Sequence, residues 1–327
     1  MLIPCIIMIN IFEKSLLLAR KISPVKYKLR GQLPSSYTDL FIEDASNLIA
    51  DRLLDNEPLM ISRLGSIELN CVLNYLNQKK DFRKYSDYIF GKIDSYKWED
   101  ITLKSMGTST GFFPVNVDML ARFSEMMLDD MSEIDILGSW LKEEVLFSSQ
   151  LKSASKVGLL NLEPYNHKEP WSQHLKGKTV LVIHPYDRSI QAQYKKRDLL
   201  FSDKRVLPEF DLKTIRAVQT ISNNKSQFEN WFDALNYMKD QIASESFDVA
   251  IIGCGAYGLP LAAFVKRLGK KAIHLGGATQ LLFGIKGKRW EDNYLDYKTR
   301  IMNDYWVKPL SEEVPNDFDK VEKGCYW

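Results

Sequence analysis

The sequence predicts an α/β fold: a Rossmann-like, doubly wound, mostly parallel sheet with helices on both faces and helical additions at the N-terminal end. Three observations lead there. Short apolar runs at Val249–Ile252 and 272–275, and the strand-like stretch 178–184, suit strands buried in a parallel sheet. Stretches of helical periodicity alternate with such runs through the second half of the chain. Gly253, Gly255 and Gly258 follow the first run in Gly-x-Gly-x-x-Gly spacing, ahead of a helix over 259–268.

The chain's 327 residues can bury a substantial core, and 45% hydrophobic with 26% charged residues is ordinary for a globular protein. A formal net charge of +2 gives no argument for nucleic acid. The four cysteines have no metal-type spacing and are expected as reduced, cytosolic thiols. Cys254, inside the glycine turn, reads as a small residue filling a tight space. No internal repeat and no low-complexity tract is present.

Residues 1–12 are apolar but short, lacking the basic flank of a signal peptide and the length of a membrane span. Residues 13–22 continue as an amphipathic helix with Lys14, Arg20 and Lys21, expected to cover the main domain; docking on a membrane surface or partner is the alternative. Residues 23–36 read as an extended arm, which places a boundary at 36 and a single α/β catalytic domain over 37–327. Helical periodicity over 37–56 stops at Pro58. A strand over 59–63 then meets a turn at 64–68 and a helix over 69–76. Arg63 and Glu68 therefore lie at a strand-to-helix turn, where α/β enzymes place polar chemistry, although a helix cap with a surface ion pair has the same look. The small residues 107–111 suit the lining of a pocket. A Met- and Leu-rich helix is expected over 118–131, and a second amphipathic helix over 134–147 with Glu143 and Glu144 outward.

A strand over 156–160 opens the second half, followed by a loop whose His167 and Glu169 are polar enough to face a ligand. The clearest strand, 178–184, ends in His184-Pro185-Tyr186-Asp187-Arg188-Ser189. Ligands bind at strand tips in parallel sheets, so His184, Asp187 and Arg188 are site candidates; Asp187 or Ser189 as a helix cap is the plainer reading. A strand over 211–218 leads to a long amphipathic helix over 227–244. Beyond the glycine turn, Lys286, Lys288 and Arg289 lie in a basic loop that would either close over phosphates as a flap or stay a solvated turn.

Strand, glycine turn, helix and strand make one βαβ unit. Its turn aims backbone N–H groups at an anion. Gly253, Gly255, Ala256, Tyr257 and Gly258 would form that cradle, with Gly276 and Gly277 at the next strand's tip. A dinucleotide fingerprint expects an acid about 20 residues on. Residues 272–277 contain none, so a mononucleotide or nucleotide-sugar diphosphate suits the loop better than NAD. The competing reading is that the glycines only permit close strand–helix packing.

The pairing of Arg63-Leu64-Gly65-Ser66-Ile67-Glu68 with the later glycine unit resembles the GT-D class of bacterial glycosyltransferases, as a layout over roughly residues 45–290. Those enzymes carry Arg-Phe-Gly-Asp-Gly-Glu after an early strand, where an Asp-x-Glu pair holds a divalent metal on the donor. Arg63, Gly65 and Glu68 match; Ser66 stands in place of the first metal-binding Asp and Ile67 in place of Gly. The resemblance implies transfer of a sugar from a nucleotide-sugar donor to a glycan or lipid-linked acceptor in surface-polysaccharide synthesis. It places the protein in the cytoplasm at the inner face of the membrane, with peripheral membrane association. Arg63, Gly65, Ser66 and the glycine turn would serve the diphosphate, and Glu68 a manganese or magnesium ion or the acceptor. His184 or Asp187 would be the base. One carboxylate beside a hydroxyl puts the metal in question. The rival classes are an NAD(P)- or nucleotide-sugar-dependent Rossmann enzyme and a non-catalytic nucleotide-binding protein.

Overall fold

A computed structural model of the chain describes residues 3–24, 42–320 and 324–327. Its frame is seven strands: β1 (Leu59–Ser62), β2 (Ile136–Ser139), β3 (Ser155–Gly158), β4 (Thr179–His184), β5 (Asp211–Arg216), β6 (Val249–Ile252) and β7 (Lys271–His274). All pair in parallel, in the order β3-β2-β1-β7-β6-β4-β5. This is the α/β, Rossmann-like architecture that the apolar runs predict.

Alternation along the strands explains why those runs are unbroken. Met60, Leu181, Ile183, Ala250, Ile252 and Ala272 enter one core, while Leu59, Ile61, Val180, Val182, Val249, Ile251 and Ile273 enter the other. Side chains at period two point to opposite faces, so only a strand covered on both sides must be apolar at every position. Each such side chain, fully buried, contributes roughly 1.5–3 kcal/mol.

The helices divide accordingly. The first core takes residues from α3 (Ser66–Lys79), α5 (Asp100–Thr108), α6 (Val117–Met131), α9 (Trp231–Ser244) and α10 (Gly258–Arg267). The second takes residues from α2 (Ile42–Leu54), α7 (Asp187–Tyr194), α8 (Arg197–Leu200), α11 (Ala278–Leu282), α12 (Lys288–Asn293) and α13 (Leu295–Arg300). Asn116 caps α6 by accepting from the Met119 amide (2.9 Å), and Asn230 caps α9 by accepting from the Phe232 and Asp233 amides (2.9 and 3.1 Å). That second cap is why α9 begins at Trp231 rather than 227. Away from the sheet, α1 (Ile3–Ile22) packs on α4 (Arg83–Ile89), with Leu16, Tyr88 and Ile93 forming a small cluster of their own. The expected arm over 23–36 lies mostly outside the described residues. Among them no helix is long and apolar enough to cross a membrane.

One expectation is overturned. Residues 134–147 are not an amphipathic helix: they hold β2 and then a tight 3-10 turn over Lys142–Phe147. All four β2 residues are buried, and at Gly138 an added Cβ would lie 2.4 Å from Leu162 Cδ1. Glu144, expected to face outward, is buried. Its carboxylate accepts from the Trp140 and Leu141 amides (3.2 and 3.0 Å) and from the Ser139 hydroxyl. Burial raises its pKa.

Candidate functional site

The chain leaving β4 runs outward to edge strand β5, while the chain leaving β6 runs the other way to β7. Where neighbouring connections diverge, the carboxyl tips of the strands stand apart and leave a crevice. Here that crevice is a cleft of about 420 Å³ over the tips of β1, β7, β6 and β4, a size that suits a small-molecule ligand.

The β1 tip supplies Arg63, Gly65, Ser66 and Glu68, all bordering the cleft. Arg63 lies with its guanidinium 4.9 Å from the centre of the Trp140 ring, and its Nη2 donates to the Leu64 carbonyl (2.8 Å). Its Nε–H is out of reach of solvent and has no acceptor among the described residues. Burial lowers the Arg63 pKa; the neighbouring Tyr326 and Glu68 act against that, and Arg289 reinforces it. Glu68, in the first turn of α3, folds its carboxylate back over Gly65, where a Cβ would lie 2.0 Å from Oε2. Glycine at 65 is thus what lets Glu68 take this position. Among the described residues bordering the cleft, Glu68 is the one carboxylate.

The three fingerprint glycines do different work. A Cβ on Gly253 would meet Thr279 Oγ1 at 2.5 Å, and one on Gly258 would meet His274 Nε2 at 2.2 Å. Those two permit close packing of α10 and α11 against the strand tips. Gly255 is the one with a positive φ, +57°, and a Cβ there would meet nothing nearer than the Thr110 carbonyl oxygen at 3.9 Å. Gly255 therefore faces the open cleft with Gly253, Cys254 and Tyr257, whereas Ala256 is core and Gly258 lies behind His274. Gly276 and Gly277 border the cleft at the β7 tip. Cys254 is buried and its thiol pKa is pushed up by desolvation, which makes it an inert filler.

At the β4 tip the candidates separate. His184 borders the cleft, buried, with Nδ1 accepting from the Tyr186 amide at 3.0 Å. Burial takes its pKa down to about 3. The ring is neutral with its proton on Nε2, so it presents a donor rather than a base. Asp187 is not among the residues bordering the cleft; it lies 3.8 Å from Arg216 Nε. Arg188 pairs with Glu312 (3.5 Å). The α7 N-terminus is taken by the protein's own Glu313, whose carboxylate accepts from the Arg188 and Ser189 amides (2.8 and 3.2 Å) and from the Ser189 hydroxyl. The base role assigned from sequence to His184 or Asp187 thus has no geometric support, because one is fixed as a donor and the other points elsewhere. His167, held by Asn161 (2.8 Å), and Glu169, paired with Arg205 (2.7 Å), also lie away from the cleft.

Several cleft residues carry no motif. Trp140 follows β2, the strand that periodicity misses, and its indole Nε1 donates to the Leu64 carbonyl (2.9 Å). Ser109 and Thr110, from the small-residue loop, and Gln219 and Thr220 beyond β5 add hydroxyls and an amide to the cleft's lining. Tyr294, Tyr326 and Trp327 add aromatic rings. Of the basic loop only Arg289 reaches the cleft, its guanidinium 4.6 Å over the Tyr326 ring. The loop is no loose flap. Lys286 N donates to Val307 O (2.7 Å), Arg289 N to Cys325 O (2.8 Å), and Gln280 Nε2 to the Lys286 and Tyr326 carbonyls (3.1 and 3.2 Å).

Arg63 and Arg289 bring two guanidiniums to one partly enclosed space, and the open glycine turn borders the same space. Such an array is suited to an anion carrying more than one charge. Where the resemblance would put a divalent cation, Glu68 and Ser66 offer one carboxylate and one hydroxyl beside the Arg63 guanidinium, a poor oxygen set for it. Among the described residues no three His, Cys, Asp or Glu side chains converge as a metal set. Comparison with protein-family models, curated proteins and solved structures returns no match for this chain.

Proposed function

We propose that the cleft binds the diphosphate of a nucleotide sugar and that the protein is a glycosyltransferase acting on a glycan or lipid-linked acceptor in surface-polysaccharide synthesis. The observation that carries this reading is the meeting of Arg63, Arg289 and the open Gly255 turn in one cleft that also presents a single carboxylate, Glu68. Aromatic rings, hydroxyls and an amide in one lining suit a base and a sugar. The β7 tip ends in His274 with no acid for a dinucleotide ribose, which supports a nucleotide sugar over NAD. In transfer, the bond from the anomeric carbon to the diphosphate oxygen breaks and a bond to the acceptor oxygen forms. The two guanidiniums and the turn amides take the leaving group's charge. The acceptor's proton passes to Glu68, and the His184 Nε2–H donates to the bound ligand.

The test is donor turnover, measured as release of nucleoside diphosphate from UDP-, GDP- and CDP-linked sugars. Wild type is expected to turn over at least one donor undiminished in EDTA, and Glu68→Gln to lose about 10²-fold or more in kcat with unchanged donor affinity. Full activity in Glu68→Gln contradicts the assignment of the base.

Contact with a membrane surface belongs to the same reading. The outward side of α1 shows Ile11, Leu18 and Ile22, 59%, 59% and 72% exposed, on a helix that also carries Lys14 and Lys21. Glu13 is drawn to Lys97 (2.8 Å). An apolar face flanked by lysines suits an anionic bilayer surface. Co-sedimentation with phosphatidylglycerol vesicles is expected for wild type and not for Leu18→Glu; absence of wild-type binding would remove this part.

A further inference from the structure

Beside the main cleft lies a side pocket of about 60 Å³, and Arg63 and Arg289 border both. Its walls are apolar: Leu159, Leu162, Leu275, Ala278 and Trp290 line it. Glu163 is its one carboxylate, 6% exposed, accepting from the Tyr297 hydroxyl (2.6 Å) and Asn166 Nδ2 (3.3 Å). Arg63 lies at the pocket's border with the main cleft. The main cleft holds about 420 Å³ against its 60 Å³, so the side pocket takes a substituent of the bound molecule rather than the whole of it.

The content of the pocket narrows that substituent. It must offer an acceptor to a guanidinium N–H, an apolar group to leucine and tryptophan walls, and preferably a donor to a carboxylate. An acetamido group has all three, in its carbonyl, methyl and N–H. Its place on the ligand follows from covalent structure. In a sugar phosphate, the carbon next to the phosphate-bearing anomeric carbon is C2. With the phosphate between Arg63 and Arg289, the C2 substituent is the one nearest the adjoining pocket.

We infer that the side pocket selects a 2-acetamido sugar, with the acetamido carbonyl on the Arg63 guanidinium, its methyl against Leu159, Leu162 and Trp290, and its N–H toward Glu163. This rests on the nucleotide-sugar reading above and specifies its donor. A 2-hydroxy sugar would leave the apolar walls uncovered and fill less of the pocket. A pocket matched to one small group discriminates by about 10–200-fold.

The experiment avoids any assumption about the nucleotide. Calorimetric titrations use pyrophosphate, glucose 1-phosphate and galactose 1-phosphate, and the N-acetylglucosamine and N-acetylgalactosamine 1-phosphates. At least one acetamido sugar phosphate is expected to bind about tenfold or more tightly than its 2-hydroxy counterpart. Ala278→Leu, which fills the pocket, should erase that preference while leaving pyrophosphate affinity unchanged; Ala278→Val serves if the larger side chain impairs folding. Pyrophosphate binding with equal affinities within each sugar pair overturns the side-pocket assignment and leaves the anion site standing. A preference that persists in both filled variants places the selecting contact elsewhere and overturns it too. No binding of pyrophosphate removes the anion site itself, and this inference with it.

Discussion

His184 and His274 are held neutral by the fold, each with a pKa taken down to about 3 by burial, and in His274 also by the nearby Arg63. Their ordinary value is 6.5. A depressed folded pKa means that the unfolded chain takes up protons the fold refuses. Stability from these two rings is complete above pH about 6.5 and is lost as pH falls toward about 3. Asp130 runs the other way. Burial pushes its carboxyl up to about 6 despite Arg267 at 2.7 Å, so its contribution is present at low pH and fades as pH rises through about 6. The histidines' share is a fall in stability between pH 6.5 and pH 4, opposed by Asp130 and by Glu99, Glu144, Glu163 and Glu313, whose carboxyls burial also raises. His184→Asn, which keeps an acceptor for the Tyr186 amide, should flatten that fall by roughly one proton's worth, about 1.4 kcal/mol per pH unit. An unaltered slope would show that His184 is not the group refusing the proton.

At the scale of elements, the strand tips were legible and their detailed use was not. The runs Val180–Ile183 in β4, Val249–Ile252 in β6 and Ala272–Ile273 in β7 are unbroken because both faces are covered, so the sheet could be read directly. β2 was hidden because its short run sits between Asp135 and the polar-edged 142–147 turn, where charges mimic a helical face. Arg63, Glu68 and the glycine turn were visible through their spacing. Trp140, Tyr326 and Trp327 reach the cleft only through tertiary packing and leave no local signature. The same limit explains Asp187: a helix-start acid looks alike whether it faces a ligand or Arg216. Spacing also could not say which glycines pack and which face the ligand. Gly258→Ala forces a Cβ to within 2.2 Å of His274 Nε2, and should cost about 1–3 kcal/mol of stability. Gly255→Asn should fold nearly as well, since asparagine tolerates a positive φ, yet lose nucleotide binding as its side chain enters the cleft. Chemical denaturation and ligand titration on the two variants check this. Equal destabilisation with equal binding would contradict the division of roles.

For the whole molecule, the strand order sets what the cleft can be. Connections diverge between β4 and β6, and the tips of β1 and β7 bring Arg63 beside that divergence. Residues 284–320 and 324–327 bring Ile285, Trp290, Tyr297, Trp306 and Trp327 to the second core and deliver Arg289, Tyr326 and Trp327 to the same opening. Arg63 after β1 and Arg289 in α12 thus meet from distant parts of the chain, which no single segment encodes. The most direct test is titration of wild type, Arg63→Gln and Arg289→Gln with UDP, GDP and CDP, with NAD and NADP as controls. At least one nucleoside diphosphate should bind wild type, each variant should weaken it by about tenfold or more, and the dinucleotides should not compete. Unchanged affinity in both variants, or binding of NAD alone, would contradict the account.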